Sequence, residues 1–143
     1  MFICNHCPYV KAARERIVRD CGELAAHGIG SVAIMSNDPS EYPEDSFENM
    51  KRVAMQFHYP FPYLLDETQD VARAYSSLCT PDFFGYDAGL CLRYHGRLDS
   101  SGRATTPQAR RELFDAMVQI ARTGRGPDDQ VASIGCSIKW KKV

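Results

Sequence analysis

Apolar residues at Val10, Ala13, Ile17, Cys21 and Leu24 keep the three-and-four spacing of one buried helix face. Lys11, Glu15, Arg16, Arg19 and Asp20 fall on the opposite face, with Lys11/Glu15, Glu15/Arg19 and Arg16/Asp20 one turn apart. The pattern predicts a helix from Pro8 to His27. Pro8 is tolerated there because a first-turn N–H has no intrahelical partner to lose. Gly28 and Gly30 end the helix, and Val32-Ala33-Ile34-Met35 follows as an apolar run without alternation, the mark of a buried parallel strand. Met1-Phe2-Ile3 is a second apolar run before the helix, so the first 36 residues read as a strand–helix–strand unit with a right-handed crossover.

Phe47, Met50, Val53, Ala54 and Phe57 predict a second helix over 45–57, with Asp45 and Glu48 in a capping arrangement. Tyr63-Leu64-Leu65 is a short strand. Thr68 caps a short helix from Gln69 to Tyr75. Asp82 to Tyr86, a turn at Asp87-Ala88-Gly89, and the alternating Leu90 to Tyr94 read as a β-hairpin. Thr106-Pro107 reads as an N-cap followed by proline at the first helical position, opening a helix to Arg122 with Leu113, Met117, Ile120 and Ala121 inward. Gly124 stops it. The expected organisation is one domain over 1–123 and a tail over 124–143 that packs on it or extends from it. The tail is polar except for Gly135-Cys136-Ser137-Ile138-Lys139-Trp140.

Charge narrows the partners. The net charge is -1 in 143 residues, with no basic stripe interleaved with aromatics, so nucleic acid is not an expected partner. No apolar run approaches the ~20 residues of a membrane span, and Met1 is not followed by a secretory signal. Six cysteines are spread along the chain with one close pair, which fits a reducing cytoplasm better than a disulfide-stapled secreted scaffold.

That close pair is Cys4-Asn5-His6-Cys7. A Cys-x-x-Cys where a strand meets a helix receives free backbone N–H groups and the positive end of the helix dipole. Thiols so placed reach pKa values of roughly 3.5 to 7.5. Cys4 is the expected thiolate, Cys7 can close a disulfide with it, and His6 adds a second cation or is an exposed spacer. The competing reading is half of a structural zinc site, which needs a second ligand pair that the chain lacks. Cys79, two residues before Pro81, is either a third redox thiol, with Cys136 as its companion, or a small core residue. Cys21 and Cys91 read as structural, His27, His58 and His95 as surface residues, and Asp38 as a turn residue.

The element order and motifs together resemble the thioredoxin-like superfamily, in the redoxin branch of TlpA-like and alkyl-hydroperoxide-reductase-like proteins. The matching stretches are Cys4-Asn5-His6-Cys7-Pro8-Tyr9-Val10, Asn37-Asp38-Pro39, Asp66-Glu67-Thr68-Gln69, Ala72-Arg73-Ala74-Tyr75, Cys79-Thr80-Pro81-Asp82-Phe83-Phe84 and Gly135 to Trp140. The resemblance implies an α/β fold, a mixed sheet with helices on both faces. It implies a cis-proline at Pro81 and Thr80-Pro81 backbone offered to the substrate. Cys4 would be exposed and attack a substrate disulfide, and the more buried Cys7 would resolve the mixed disulfide. The implied partners are a disulfide-containing protein or small molecule and an electron donor, with no cofactor and no metal, and a homodimer is compatible with the fold. Met1-Phe2-Ile3 stands where such proteins carry a longer N-terminal segment. The first strand is therefore expected to be cut short, and the buried acid of thioredoxins has no counterpart. The other functions to weigh are a peroxiredoxin-like thiol peroxidase and a non-catalytic metal- or partner-binding module. Peroxiredoxins usually place Thr three residues before their reactive cysteine, where this chain has Met1.

Overall fold

The computed structural model describes residues 1–143. At its centre, Met1–Ile3 joins two strand pairs. Ile3 N–H donates to Ile34 O (3.0 Å) and Ile34 N–H to Met1 O (2.9 Å), while Phe2 and Asp82 exchange both backbone bonds at 2.9 and 3.0 Å. On one side lie β1 (Ala33–Met35) and β2 (Tyr63–Leu65), paired in parallel with Ala33 opposite Tyr63. On the other, β3 (Cys79–Thr80) precedes an antiparallel hairpin of β4 (Phe83–Tyr86) and β5 (Leu92–Gly96). The result is a mixed sheet running β2, β1, Met1–Ile3, β4, β5, with the first strand reduced to a bridge on each side. Besides the sheet there are four helices: α1 (Pro8–Ala25), α2 (Phe47–Gln56), α3 (Asp70–Ala74) and α4 (Glu112–Thr123).

Successive residues of an extended segment face opposite ways. Ile3 enters the main core with Val10 and Ile17 of α1 and Leu113, Met117 and Ile120 of α4. Phe2 enters a smaller cluster with Ala72 of α3 and Ile138, edged by the rings of Tyr75 and Phe84. Helices thus cover both faces, as a thioredoxin-like sheet requires. All five positions of the α1 stripe are buried. Fully burying each of its larger apolar side chains is worth about 1.5–3 kcal/mol. No helix is long and apolar enough to cross a membrane.

Several boundaries differ from the sequence expectation, each for a visible reason. Ser46, not Asp45, caps α2, its Oγ accepting from Asn49 N–H at 3.2 Å. Phe47 stays half-exposed, and Met50 alone of the expected stripe is fully buried. Thr68 Oγ1 accepts from Asp70 N–H at the start of α3, as expected, and Asp66 accepts from the next two N–H groups, Val71 and Ala72. Thr106-Pro107 opens no helix, because the backbone there is spent on an earlier segment. Ser100 N–H donates to Arg110 O, Leu113 N–H to Leu98 O, and Gln108 has a φ of 64°. Gly124, at φ 72°, ends α4 with its N–H on Ile120 O. Ala116 takes the inward place expected of Ala121. Cys91 is exposed at the hairpin turn and is no core residue.

The last twenty residues lie against the sheet. Arg97 N–H donates to Val131 O, and His95 N–H to Gln130 Oε1. β6 (Cys136–Ser137) then pairs antiparallel with β3. Beyond it, the buried Gln69 amide donates to Ser36 O and Lys139 O and accepts from Lys141 N–H. Gly135 is required by close approach: a Cβ there would stand 2.0 Å from Thr80 O.

Helices α1 and α4 are clamped by charge. Asp20, expected on the solvent face, is fully buried. Its Oδ1 accepts from Arg111 Nη2 at 2.6 Å and from Arg19 at 2.8 Å, and Arg111 also reaches Glu23. Removing one partner of a buried charge leaves it uncompensated. Arg111→Ala is expected to lower unfolding stability in urea by about 2 kcal/mol. Glu23→Ala, on the exposed arm, is expected to cost less than about 1 kcal/mol.

Candidate active site

Cys4 ends the first extended segment, but α1 does not start there. Cys7 is the N-cap, with φ -62° and ψ 125°, and Pro8 fills the first helical position. The free N–H groups of the helix therefore serve Cys7. Both cysteines are fully buried, at 0% exposure each, where an exposed Cys4 was expected. The N–H groups of Asn5 and His6 tie the segment after Cys4 to Asp45 of the 3-10 turn Pro43–Asp45. The Cys4 thiol is raised, first by its hydrogen bond to Cys7, then by burial and the charge of Asp45. Cys7 is lowered to about 4, first by that same hydrogen bond, with further contributions from Cys136 and the Val10 N–H outweighing burial. The favoured thiolate is Cys7 rather than Cys4.

Thr80 and Pro81 stand against the pair. Their peptide bond is cis, as expected. Thr80 Oγ1 lies 3.5 Å from Cys4 Sγ, and the Cys7 thiol can donate to Thr80 O at 3.3 Å. The β3–β6 register sets Thr80 opposite Cys136 and Cys79 opposite Ser137. Cys136 Sγ consequently lies 2.8 Å from Cys7 Sγ. Cys79 instead sits near Pro81 O at 4.0 Å, its thiol pushed up to about 11 by burial. Cys136 is also pushed up to about 11, by burial and then by its bond to Cys7, yet it is only half-buried. The sequence signal for Cys136 was the single apolar cluster in a polar tail.

His6 is fixed. Its ring stacks on Tyr42 at 4.9 Å, and Nδ1 meets Asp45 Oδ2 at 2.5 Å. Asp45 is fully buried and collects four hydrogen bonds. Oδ1 accepts from the N–H groups of Asn5 and His6, and Oδ2 from His6 Nδ1 and Asn37 Nδ2. A buried acid, for which the sequence offered no counterpart, thus stands beside the cysteines. It was hidden as an apparent helix cap.

Cys4 Sγ, a His6 ring nitrogen and an Asp45 oxygen lie within 4.8 Å of one another, donor types that zinc accepts. His6 and Asp45 are, however, bonded directly to each other, and Cys4 Sγ lies 3.5 Å from Thr80 Oγ1. The residues form a closed hydrogen-bonded set, and coordination would have to break the His6–Asp45 contact.

A cavity of about 320 Å³ opens beside Pro81, lined by Tyr9, Phe83, Leu98, Arg103 and Ile134 among others. Its lining combines apolar side chains with Arg16, Arg97, Arg103 and Asp99, and Arg103 lies 5.2 Å over the Tyr9 ring.

The chain is 49% identical to an uncharacterized conserved protein from Geobacillus kaustophilus of known structure, with a TM-score of 0.91 over 100% of this chain and 76% of that one. A hypothetical protein from Sinorhizobium meliloti superposes with a TM-score of 0.89 at 39% identity, over 98% of this chain and 77% of that one. No curated protein matches. The family model for AhpC/TSA matches residues 1–109, which span the cysteine pair, the sheet and the cis-proline. With that match and this fold, the chain belongs to the AhpC/TSA family of thioredoxin-fold, thiol-based redox proteins.

Proposed function

We propose that this protein is a thiol–disulfide oxidoreductase whose redox couple is Cys4 and Cys7. The observation that carries the reading is the convergence of both sulfurs on Thr80, 3.5 Å and 3.3 Å away, beside a lowered Cys7 thiol. The reaction is two successive exchanges. One thiolate attacks a substrate disulfide, forms a mixed disulfide and expels the first substrate thiolate, which takes up a proton. The second cysteine then attacks the bound sulfur of the couple, closes Cys4–Cys7 and releases the second substrate thiol. Two protein thiols are oxidised and one substrate disulfide is reduced. A thiol reductant in a reducing compartment regenerates the dithiol. Thr80 and Pro81 would face the substrate, and the hollow beside Pro81 suits an apolar flank. His6, held by Asp45, positions the loop around Cys4.

A peroxidase reading draws on the family itself, but peroxide needs direct access to a thiolate. Cys4 is fully buried with its thiol raised beside the Asp45 carboxylate, which disfavours that chemistry at Cys4 and leaves Cys7 as the thiol that peroxide would have to reach.

Two measurements test the proposal. The reduced protein is expected to catalyse insulin-disulfide reduction by dithiothreitol, and Cys7→Ser to lower that rate by about 100-fold or more. Peroxide consumption that exceeds disulfide reduction on the same preparation would reverse the assignment. A lowered thiol is ionised above its pKa and protonated below it. The thiolate absorbance of the reduced protein should therefore persist through neutral pH and fall with a midpoint near 4 on acidification, and Cys7→Ser should abolish that step.

A further inference from the structure

We propose that Cys136 is a third redox thiol that exchanges with Cys7, carrying the disulfide from the buried couple to solvent. The inference rests on reading Cys4 and Cys7 as a redox couple, and it addresses what that reading leaves open. Both sulfurs of the couple are fully buried, at 0% exposure, so a direct attack by either on a substrate disulfide requires the site to open. Cys136 is half-buried and touches the couple, with 2.8 Å between its Sγ and that of Cys7. A disulfide needs sulfurs roughly 2.05 Å apart, so bond formation requires a movement of less than about 1 Å.

The placement is built by backbone. β6 pairs with β3 so that Cys136 faces Thr80, the residue both cysteines of the couple contact. Gly135 permits the close approach, because a Cβ would meet Thr80 O at 2.0 Å. Ile138 N–H on Leu78 O and Lys139 N–H on Asn37 Oδ1 secure the strand beyond. Ile134, two residues before Cys136, lines the hollow beside Pro81, where substrate would arrive. Cys7 touches Cys136 directly and meets Cys4 across Thr80, which both contact. It is the shared member of two alternative disulfides.

The relay balances step by step. Cys136 gives its proton to solvent and attacks the substrate disulfide. One substrate thiolate leaves, taking a proton from solvent. The Cys7 thiolate then attacks the Cys136 sulfur, forming Cys7–Cys136, and the departing second substrate sulfur takes a proton from solvent. Finally Cys4 attacks Cys7. The Cys7–Cys136 bond breaks, Cys4–Cys7 forms, and the Cys4 proton ends on Cys136. This last step is an exchange with no net oxidation.

Tryptic mapping separates the linkages, because Cys4 and Cys7 share the peptide 1–11 and Cys136 lies in 126–139. The reduced full chain would be oxidised with one equivalent of diamide, alkylated, and digested without reductant. Cys4→Ser is expected to give a cross-link between the two peptides, and Cys136→Ser only the closed disulfide within 1–11. Insulin-disulfide turnover should fall about tenfold or more in Cys136→Ser, with an unchanged urea midpoint, while Cys91→Ser at the exposed hairpin turn keeps the wild-type rate. Absence of the cross-link in Cys4→Ser, or wild-type turnover in Cys136→Ser, would overturn the relay and leave the oxidoreductase reading standing. A cross-link in a protein that reduces no disulfide would support the thiol exchange and remove the enzyme reading.

Discussion

Four backbone hydrogen bonds around Phe2 and Ile3 decide whether this molecule has one sheet or two fragments. Through them β1–β2 on one side and the β4–β5 hairpin on the other become neighbours of a common segment. The same segment delivers Cys4 to the sheet's end and sends Ile3 and Phe2 into separate clusters on the two faces. Residue 82 is tied to Phe2, so the cis Thr80–Pro81 bond just before it arrives beside the cysteines as a direct consequence. Sheet and site are one construction. A loss of pairing at Phe2 would separate Cys4 from Thr80 as well as β1 from β4.

The tail is the second structural dependency. It adds little apolar burial of its own, Ile138 being its one fully buried apolar side chain. What holds it is backbone pairing and the buried Gln69 amide, which binds both Ser36 O and Lys139 O. Buried polar groups are costly when unpaired, so this amide fixes the tail's course more firmly than apolar contact would. The consequence is local: a segment that looks like an appendage supplies a sulfur 2.8 Å from that of Cys7.

Much of this was legible in the sequence where periodicity and local chemistry agree. The α1 stripe, the βαβ opening, Gly124 as a stop and the cis-proline all followed from spacing, turn chemistry or the family resemblance. What escaped depends on contacts distant in sequence. Thr106-Pro107 has sound helix-start chemistry, yet Leu98–Ser100 claims the backbone of 110–113. Asp45 looks like a cap three residues before Glu48, and only folding turns it inward to meet Asn5, His6 and Asn37. Cys136 is 129 residues from Cys7, and its neighbour Thr80 is fixed by strand register, which spacing along the chain does not encode. Cys79, for which the sequence offered Cys136 as a companion, is set by the same register opposite Ser137.

The exchange of roles between Cys4 and Cys7 has an electrostatic origin. Two adjacent thiols in a dry site share one negative charge at most, since a second thiolate would be repelled by the first. Asp45, buried beside Cys4, makes that sulfur the worse place for it. Cys7 has the better surroundings: the N-cap position of an 18-residue helix, the Val10 N–H, and the Cys4 and Cys136 thiols, which lower it. The Asp45 carboxylate is itself held by four donors, so it does not swing away. Charge is thereby pushed along the row of sulfurs, away from the acid and toward Cys136. A motif that would present its first cysteine at an open helix start is, in this chain, folded with its second cysteine at the helix start and against the tail.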